Sequence, residues 1–186
     1  EAVFIEDQLG YNVMIDFLLA RRKFIKNKLP IVGPENENYW SFGDSYIKGA
    51  WIMHTLRNVI DNDSLWWSIL RSFAVEYSRS HVKTADFQHH VEARTDEDFK
   101  YFFNQYFFDH RPPELEYYQD GNKLLYRWAD VIQDFQMPMD ININGIEKRI
   151  YPTAAVQTLE TPEFAVIIFR DWEFLVKVKE NSALSG

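Results

Sequence analysis

The chain has 186 residues, of which 46% are hydrophobic and 17% aromatic, and it carries a net charge of −8 at pH 7. This composition is typical of a globular protein with one large or two small domains, and it excludes an intrinsically disordered chain. The acidic excess is shared by both halves of the sequence, which makes nucleic-acid binding improbable. No apolar run approaches the ~20 residues of a membrane span, and the absence of cysteine excludes disulfides and thiolate metal sites.

The first predicted element is a helix over residues 2–25. Apolar side chains recur there at helical spacing, and basic residues cluster near its end. The apolar set consists of Val3, Leu9, Val13, Phe17 and Leu18. The stretch LPIVGPENENYWSFG, residues 29–43, contains two prolines and two glycines, which interrupt the helical pattern.

Four further helices are predicted before residue 110. The first runs to Ile60, and the last, in the segment EDFKYFFNQYFF, has a dense aromatic stripe. Their candidate N-caps are Asp44 or Ser45, then Asp63, Thr84 and Asp96. Short helices joined by short polar turns indicate a helical subdomain with crossed helices.

The pattern changes at Pro112 and Pro113, which cannot continue a helix. About seven short segments rich in β-forming residues follow, separated by turn signals such as DGN and NG. They are ELEYY, KLLYRWA, MPMDININ, EKRIYP, AAVQTL, FAVIIF and FLVKVK. This spacing is typical of an antiparallel β-sandwich. We therefore predict an α+β chain of two domains, residues 1–110 and 111–186, with the boundary near Arg111.

Residues that could bind a metal or act as a nucleophile are sparse. None of the five histidines belongs to an H-x-x-x-H pair, so a helix-borne pair of zinc ligands is missing. We interpret His89 and Glu92, three residues apart, as surface polar residues, and His54 as a half-buried, hydrogen-bonded residue. No G-x-S-x-G, G-x-G-x-x-G or P-loop motif is present. Residue types alone therefore indicate no self-sufficient catalytic site.

One segment resembles a known family. The run YIKGAWIMHTL opens with Tyr46, Lys48, Gly49 and Ala50, which match the Tyr-x-Lys-Gly-Ala that opens a helix in the gluzincin zinc aminopeptidases, the aminopeptidase N family. The likeness continues in TADF at 84–87 and in PPELEYY at 112–118, and KNKLPIVGP at 26–34 resembles the loop before the family's tyrosine. The resemblance implies the helical C-terminal part of a thermolysin-like catalytic domain, followed by a small β-sandwich.

The resemblance also implies a parent protein that hydrolyses N-terminal residues from peptides. In the family, two histidines of H-E-x-x-H and a later glutamate hold zinc, and a G-x-M-E-N loop binds the amino terminus of the substrate. None of these motifs occurs in this chain, and the resemblance places Glu1 a few residues beyond the position of the third ligand. We therefore expect a fragment that begins just after the zinc motif and packs against an upstream catalytic subdomain of the same chain. Zinc is expected in the parent and not in the fragment, which is expected to be inactive alone; the compartment is not assigned.

Tyr46 is the only catalytic residue that the resemblance transfers. A tyrosine in the first turn of a helix ordinarily packs its ring on the preceding loop and turns its hydroxyl to water. In the family this tyrosine instead donates a hydrogen bond to the oxyanion of the tetrahedral intermediate, and we assign that role to Tyr46. For Lys48 we expect a simpler role, in which the aliphatic part of the side chain packs and the ammonium group is solvated. We interpret Gly49 as a position of close contact with another helix.

Two rival interpretations remain at this point. The same scaffold could serve as a non-catalytic binding or structural module in a parent that has lost its metal motif. A third reading is an unrelated helical interaction domain joined to an immunoglobulin-like sandwich, which requires the match around Tyr46 to be chance.

Overall fold

The structure, a computed structural model, describes residues 1–41 and 43–185. Within these residues six α-helices precede seven β-strands and a final 3₁₀ turn. The helices are α1 Ala2–Leu9, α2 Tyr11–Arg22, α3 Asp44–Ile60, α4 Asp63–Glu76, α5 Thr84–Thr95 and α6 Lys100–Phe107. The strands are β1 Glu114–Asp120, β2 Lys123–Ala129, β3 Met139–Ile143, β4 Ile146–Ile150, β5 Gln157–Glu160, β6 Ile167–Phe169 and β7 Lys177–Glu180. The predicted α+β class is confirmed.

The single helix predicted over residues 2–25 is wrong, because Gly10 divides it into α1 and α2. Gly10 has a φ of 92°, a conformation that an L side chain rarely adopts, and its N–H donates to the Glu6 carbonyl as a cap of α1. The chain can therefore turn between the two helices, and Met14, Ile15 and Leu18 of α2 are buried.

The helix starts also differ from the predicted caps. Asn62, not Asp63, caps α4, because its side-chain oxygen accepts from the Leu65 N–H. Lys83, not Thr84, precedes α5. Asp96 ends α5 in the left-handed conformation and does not cap α6.

The strands form two sheets, with the orders β5-β2-β1-β7 and β4-β3-β6. The two sheets contact each other where the ring centroids of Tyr117 in β1 and Phe169 in β6 lie 4.5 Å apart. All pairs are antiparallel except β1 and β7, which are parallel. The predicted antiparallel sandwich has one exception, the β1–β7 pair, because pairing across five intervening strands leaves no local sequence signal.

Helices and sheets share one hydrophobic core. Tyr106 of α6 donates a hydrogen bond to the Leu175 carbonyl at 3.1 Å, and the Leu175 N–H donates to the hydroxyl of Thr55 in α3 at 2.8 Å. Arg22, at the end of α2, donates to the backbone carbonyls of Asp171 and Val176. The division into domains at residues 110 and 111 stays a prediction; the buried core crosses that point without a break.

Candidate functional site

Tyr46 stands in the first turn of α3 with 77% of its surface exposed. Its backbone N–H donates to the Gly43 carbonyl at 3.2 Å, so its main chain belongs to the helix start. Among residues 1–41 and 43–185 no group forms a hydrogen bond with its hydroxyl. The ring is therefore not a packed element of the core, and the hydroxyl is free to meet another molecule.

Tyr46 borders a cavity of about 410 Å³ between α2 and α3. The lining is apolar apart from Tyr46 and two ionisable side chains, Arg21 and Glu1. Arg21 lies over the Phe17 ring, with its guanidinium carbon 3.6 Å from the ring centroid. The phenol thus stands at the mouth of a partly apolar recess with charged groups on its wall.

Backbone contacts fix the turn that carries Tyr46. Gly43 precedes α3 in the left-handed conformation, with a φ of 86°, and the helix begins at Asp44. The Asp44 carboxylate is buried and accepts hydrogen bonds from the backbone N–H groups of Lys26 and Asn27, both at 2.8 Å. Asp44 was predicted to cap α3; it instead ties the start of α3 to the chain that follows α2.

Lys48 corrects the sequence interpretation of a solvated head. Its side chain is fully buried, and its Nζ donates to the His110 carbonyl at 2.9 Å. Burial lowers the pKa of Lys48 to about 8, although the nearby carboxylates of Asp44 and Asp109 act to raise it. The local sequence could not predict the burial of Lys48, because its hydrogen-bond acceptor lies 62 residues further along the chain.

Gly49 was interpreted as a close helix contact, and this is wrong. A Cβ added at Gly49 meets no atom within 4 Å. The glycine of the Tyr-x-Lys-Gly-Ala run is therefore not required by packing among the described residues.

Two of the histidines, His54 and His90, are buried and take part in packing and hydrogen bonding. His54 is buried, more deeply than the half-buried position predicted, and lies 3.3 Å from the Asn58 amide nitrogen. His90 is also buried, between Ser72, Arg94 and Glu76, whereas His89 is exposed. In the part of the chain that the structure describes, no three His, Asp or Glu side chains are placed to hold a metal ion. These residues alone do not fit a zinc ion.

A larger cavity, about 510 Å³, lies at the far end of α3. Its one guanidinium, that of Arg149, donates through Nη2 to the carbonyls of Asn58 and Val59, both at 2.8 Å. Arg149 also pairs with Asp61 and Asp140. Its donors thus hold the end of α3 to β4, which is a structural role.

Comparison with known proteins shows what the fold resembles. No protein-family model matches the chain, and no curated protein matches it. Among solved structures it is similar to the crystal structure of Legionella pneumophila aminopeptidase A in complex with aspartic acid, with a TM-score of 0.62 and 16% sequence identity. The match covers 98% of this chain and 23% of that chain. At this identity the likeness concerns the fold, which is that of a segment of an aminopeptidase.

No helix within the described ranges combines the length and apolar character needed to cross a bilayer.

Proposed function

We propose that this chain is part of a zinc-dependent aminopeptidase of the gluzincin class, in which Tyr46 donates a hydrogen bond to the oxyanion formed at the scissile carbonyl. Two findings support the proposal: the Tyr-x-Lys-Gly-Ala run around Tyr46, and the fold shared with a segment of an aminopeptidase over 98% of the chain. The observation that carries it is the exposed phenol at the mouth of the cavity between α2 and α3.

The chemistry of Tyr46 follows from its hydroxyl. A phenol keeps its proton at neutral pH, so it can donate a hydrogen bond without first taking up a proton. A donor aimed at the position where negative charge develops binds the transition state more strongly than the substrate. Such a donor contributes a factor of about 10²–10³ in rate.

The zinc ligands belong, in this proposal, to another part of the parent protein, because the described residues do not fit the metal. Zinc, when bound there, polarises the substrate carbonyl and acidifies a water molecule. The substrates are peptides with a free amino terminus; no residue preference is carried over from the aspartic acid bound to the Legionella enzyme. A full-length sequence without H-E-x-x-H would instead assign this chain to the non-catalytic alternative.

The isolated chain, on this proposal, binds no stoichiometric zinc and hydrolyses no aminoacyl substrate. The reason is that a catalytic zinc site needs three protein ligands, which the described residues do not bring together. Metal analysis after chelation and reloading with zinc tests the expectation. One tightly held zinc per chain that is lost with His89 and His90 would contradict it.

The main test is Tyr46→Phe in the full-length protein. Phenylalanine keeps the ring and removes only the hydroxyl, so zinc content and the unfolding temperature should stay unchanged. The kcat for an aminoacyl p-nitroanilide should fall by about 10²–10³, with little change in KM, because the lost hydrogen bond acts in the transition state.

Tyr151→Phe is the matched control, since Tyr151 is 63% exposed and borders the cavity at the other end of α3. It should keep full activity. If Tyr46→Phe proved as active as the unaltered enzyme at saturating substrate, the proposed role of Tyr46 would be wrong.

A further inference from the structure

Lys48 is a buried ion two residues after Tyr46. At 3.6 residues per turn, residues two apart point to nearly opposite sides of a helix. Tyr46 accordingly faces outward over the cavity, while Lys48 reaches through the interior to the His110 carbonyl. The two side chains thus lie on nearly opposite sides of the same helical turn.

The position of the Tyr46 ring depends on what holds that turn. Because the ring is 77% exposed, its own packing does little to orient it. The turn is held from the α2 side by the two backbone hydrogen bonds to Asp44. It is also held by Lys48, one turn further along the helix, whose acceptor His110 lies between the end of α6 and the start of β1.

Stability alone does not require a lysine at this position. A methionine has a similar length and avoids burying a charge, and replacing buried ions by apolar residues is often neutral or stabilising. His110 is itself exposed. What a methionine cannot do is fix the distance between the turn and the His110 carbonyl through a hydrogen bond.

We propose that Lys48 is a positioning residue: its hydrogen bond to the His110 carbonyl fixes the first turn of α3 and thereby the place of the Tyr46 hydroxyl. This inference rests on the proposed function, because only in that function does the Tyr46 hydroxyl take part in a reaction. It goes beyond that function by assigning a purpose to a residue that neither contacts the cavity nor reaches the substrate.

Lys48→Met in the full-length protein tests the proposal. The kcat should fall by about 10- to 100-fold, because small misplacements of a catalytic group have effects of this size. KM and zinc content should stay unchanged, and the unfolding temperature should equal or exceed that of the unaltered protein. Amide hydrogen exchange should rise at Tyr46 and not in α4. Lys100→Met, which removes a lysine exposed on α6, is the matched control and should change none of these quantities.

The double variant Tyr46→Phe/Lys48→Met separates positioning from any independent effect. If Lys48 acts through the Tyr46 hydroxyl, the double variant should have the kcat of Tyr46→Phe alone. Three outcomes would overturn the positioning role and leave the role of Tyr46 intact. The first is that the kcat losses of the two single variants multiply in the double variant, and the second is an unchanged kcat in Lys48→Met. The third is a loss of kcat in Lys48→Met that accompanies a lowered unfolding temperature. Full activity of Tyr46→Phe would overturn both.

Discussion

His54, on the inner side of α3, has 6% of its surface exposed. Burial, and secondarily the positive charge of Arg57, lower the pKa of His54 to about 4. The folded chain therefore holds this imidazole neutral at pH values where the unfolded chain, with a histidine pKa near 6.5, binds a proton. Since the unfolded state then binds more protons, the contribution of His54 to stability is complete above pH 6.5 and is lost as the pH falls towards 4.

We predict that His54→Gln flattens the fall in unfolding free energy between pH 6.5 and 4 by up to roughly 3 kcal/mol. Glutamine keeps a polar group for Asn58 but does not titrate. Urea unfolding at pH 7, 6 and 5 measures the slope, with His89→Gln, at an exposed position, as the control. Equal slopes in His54→Gln and the unaltered chain would show that this imidazole is not held neutral by burial.

For single residues, the local sequence pattern predicts the kind of interaction a side chain makes better than its burial or its partner. The hydrogen bonding of His54 was predicted from local pattern, whereas the predicted side-chain cap of α3 is not formed. The burial of Lys48 and the direction of the Asp44 carboxylate were not predicted, because their partners His110 and Asn27 are brought near only by the fold. The role of Tyr46 stays a prediction.

The element that organises the molecule is α3. It contacts α2 through the Trp51 indole, which donates to the Leu18 carbonyl at 3.1 Å. It contacts α1 and α4 through Arg57, which pairs with Glu6 and Asp63. Its far end is bound by Arg149 of β4, so the helix is fixed along its whole length.

Arg149→Met should lower the unfolding free energy by roughly 2–4 kcal/mol. The substitution leaves two terminal carbonyls of α3 without this donor and the largely buried Asp140 without its cation. Chemical denaturation measures the loss. Lys148→Met removes an exposed charge from the neighbouring position of the same strand and should cost little. A comparable loss in both variants would argue against the capping role.

The sequence predicts which helices and strands exist better than it predicts the residues at which they begin and end. The helices after residue 43 and the seven strands follow from apolar periodicity and turn residues. The break at Gly10 was missed because a glycine is compatible with a continuing helix, and only the turn between α1 and α2 makes its positive φ necessary. The strands are mostly shorter than the segments that predicted them. For example, only Ile167–Phe169 of the segment FAVIIF forms a strand.

At the scale of the whole molecule, the helices and the sheets complete each other. Residues 171–176 accept or donate hydrogen bonds with three helices, through Arg22, Thr55 and Tyr106. Without the sheet half, the buried hydroxyls of Thr55 and Tyr106 would lose partners and apolar surface would be exposed.

We therefore expect residues 1–186 to unfold in a single transition and residues 1–110 alone to show none. Circular dichroism at helical wavelengths should coincide with fluorescence, because tryptophans lie in both halves, as Trp51 and Trp128. A cooperative transition of residues 1–110 alone would instead support two independent folding units at the predicted boundary.

The parallel pairing of β7 with β1 sets an order of events during synthesis. The helices and β1 leave the ribosome well before β7 is translated. Until then, the edge of β1 that receives Lys177 and Val178 is open, and Thr55 and Tyr106 await the segment around Leu175. Such late, distant contacts slow folding and leave an unpaired strand edge exposed. The nascent chain is thus most exposed to misfolding just before β7 emerges, and a chaperone that covers β1 would act in that interval.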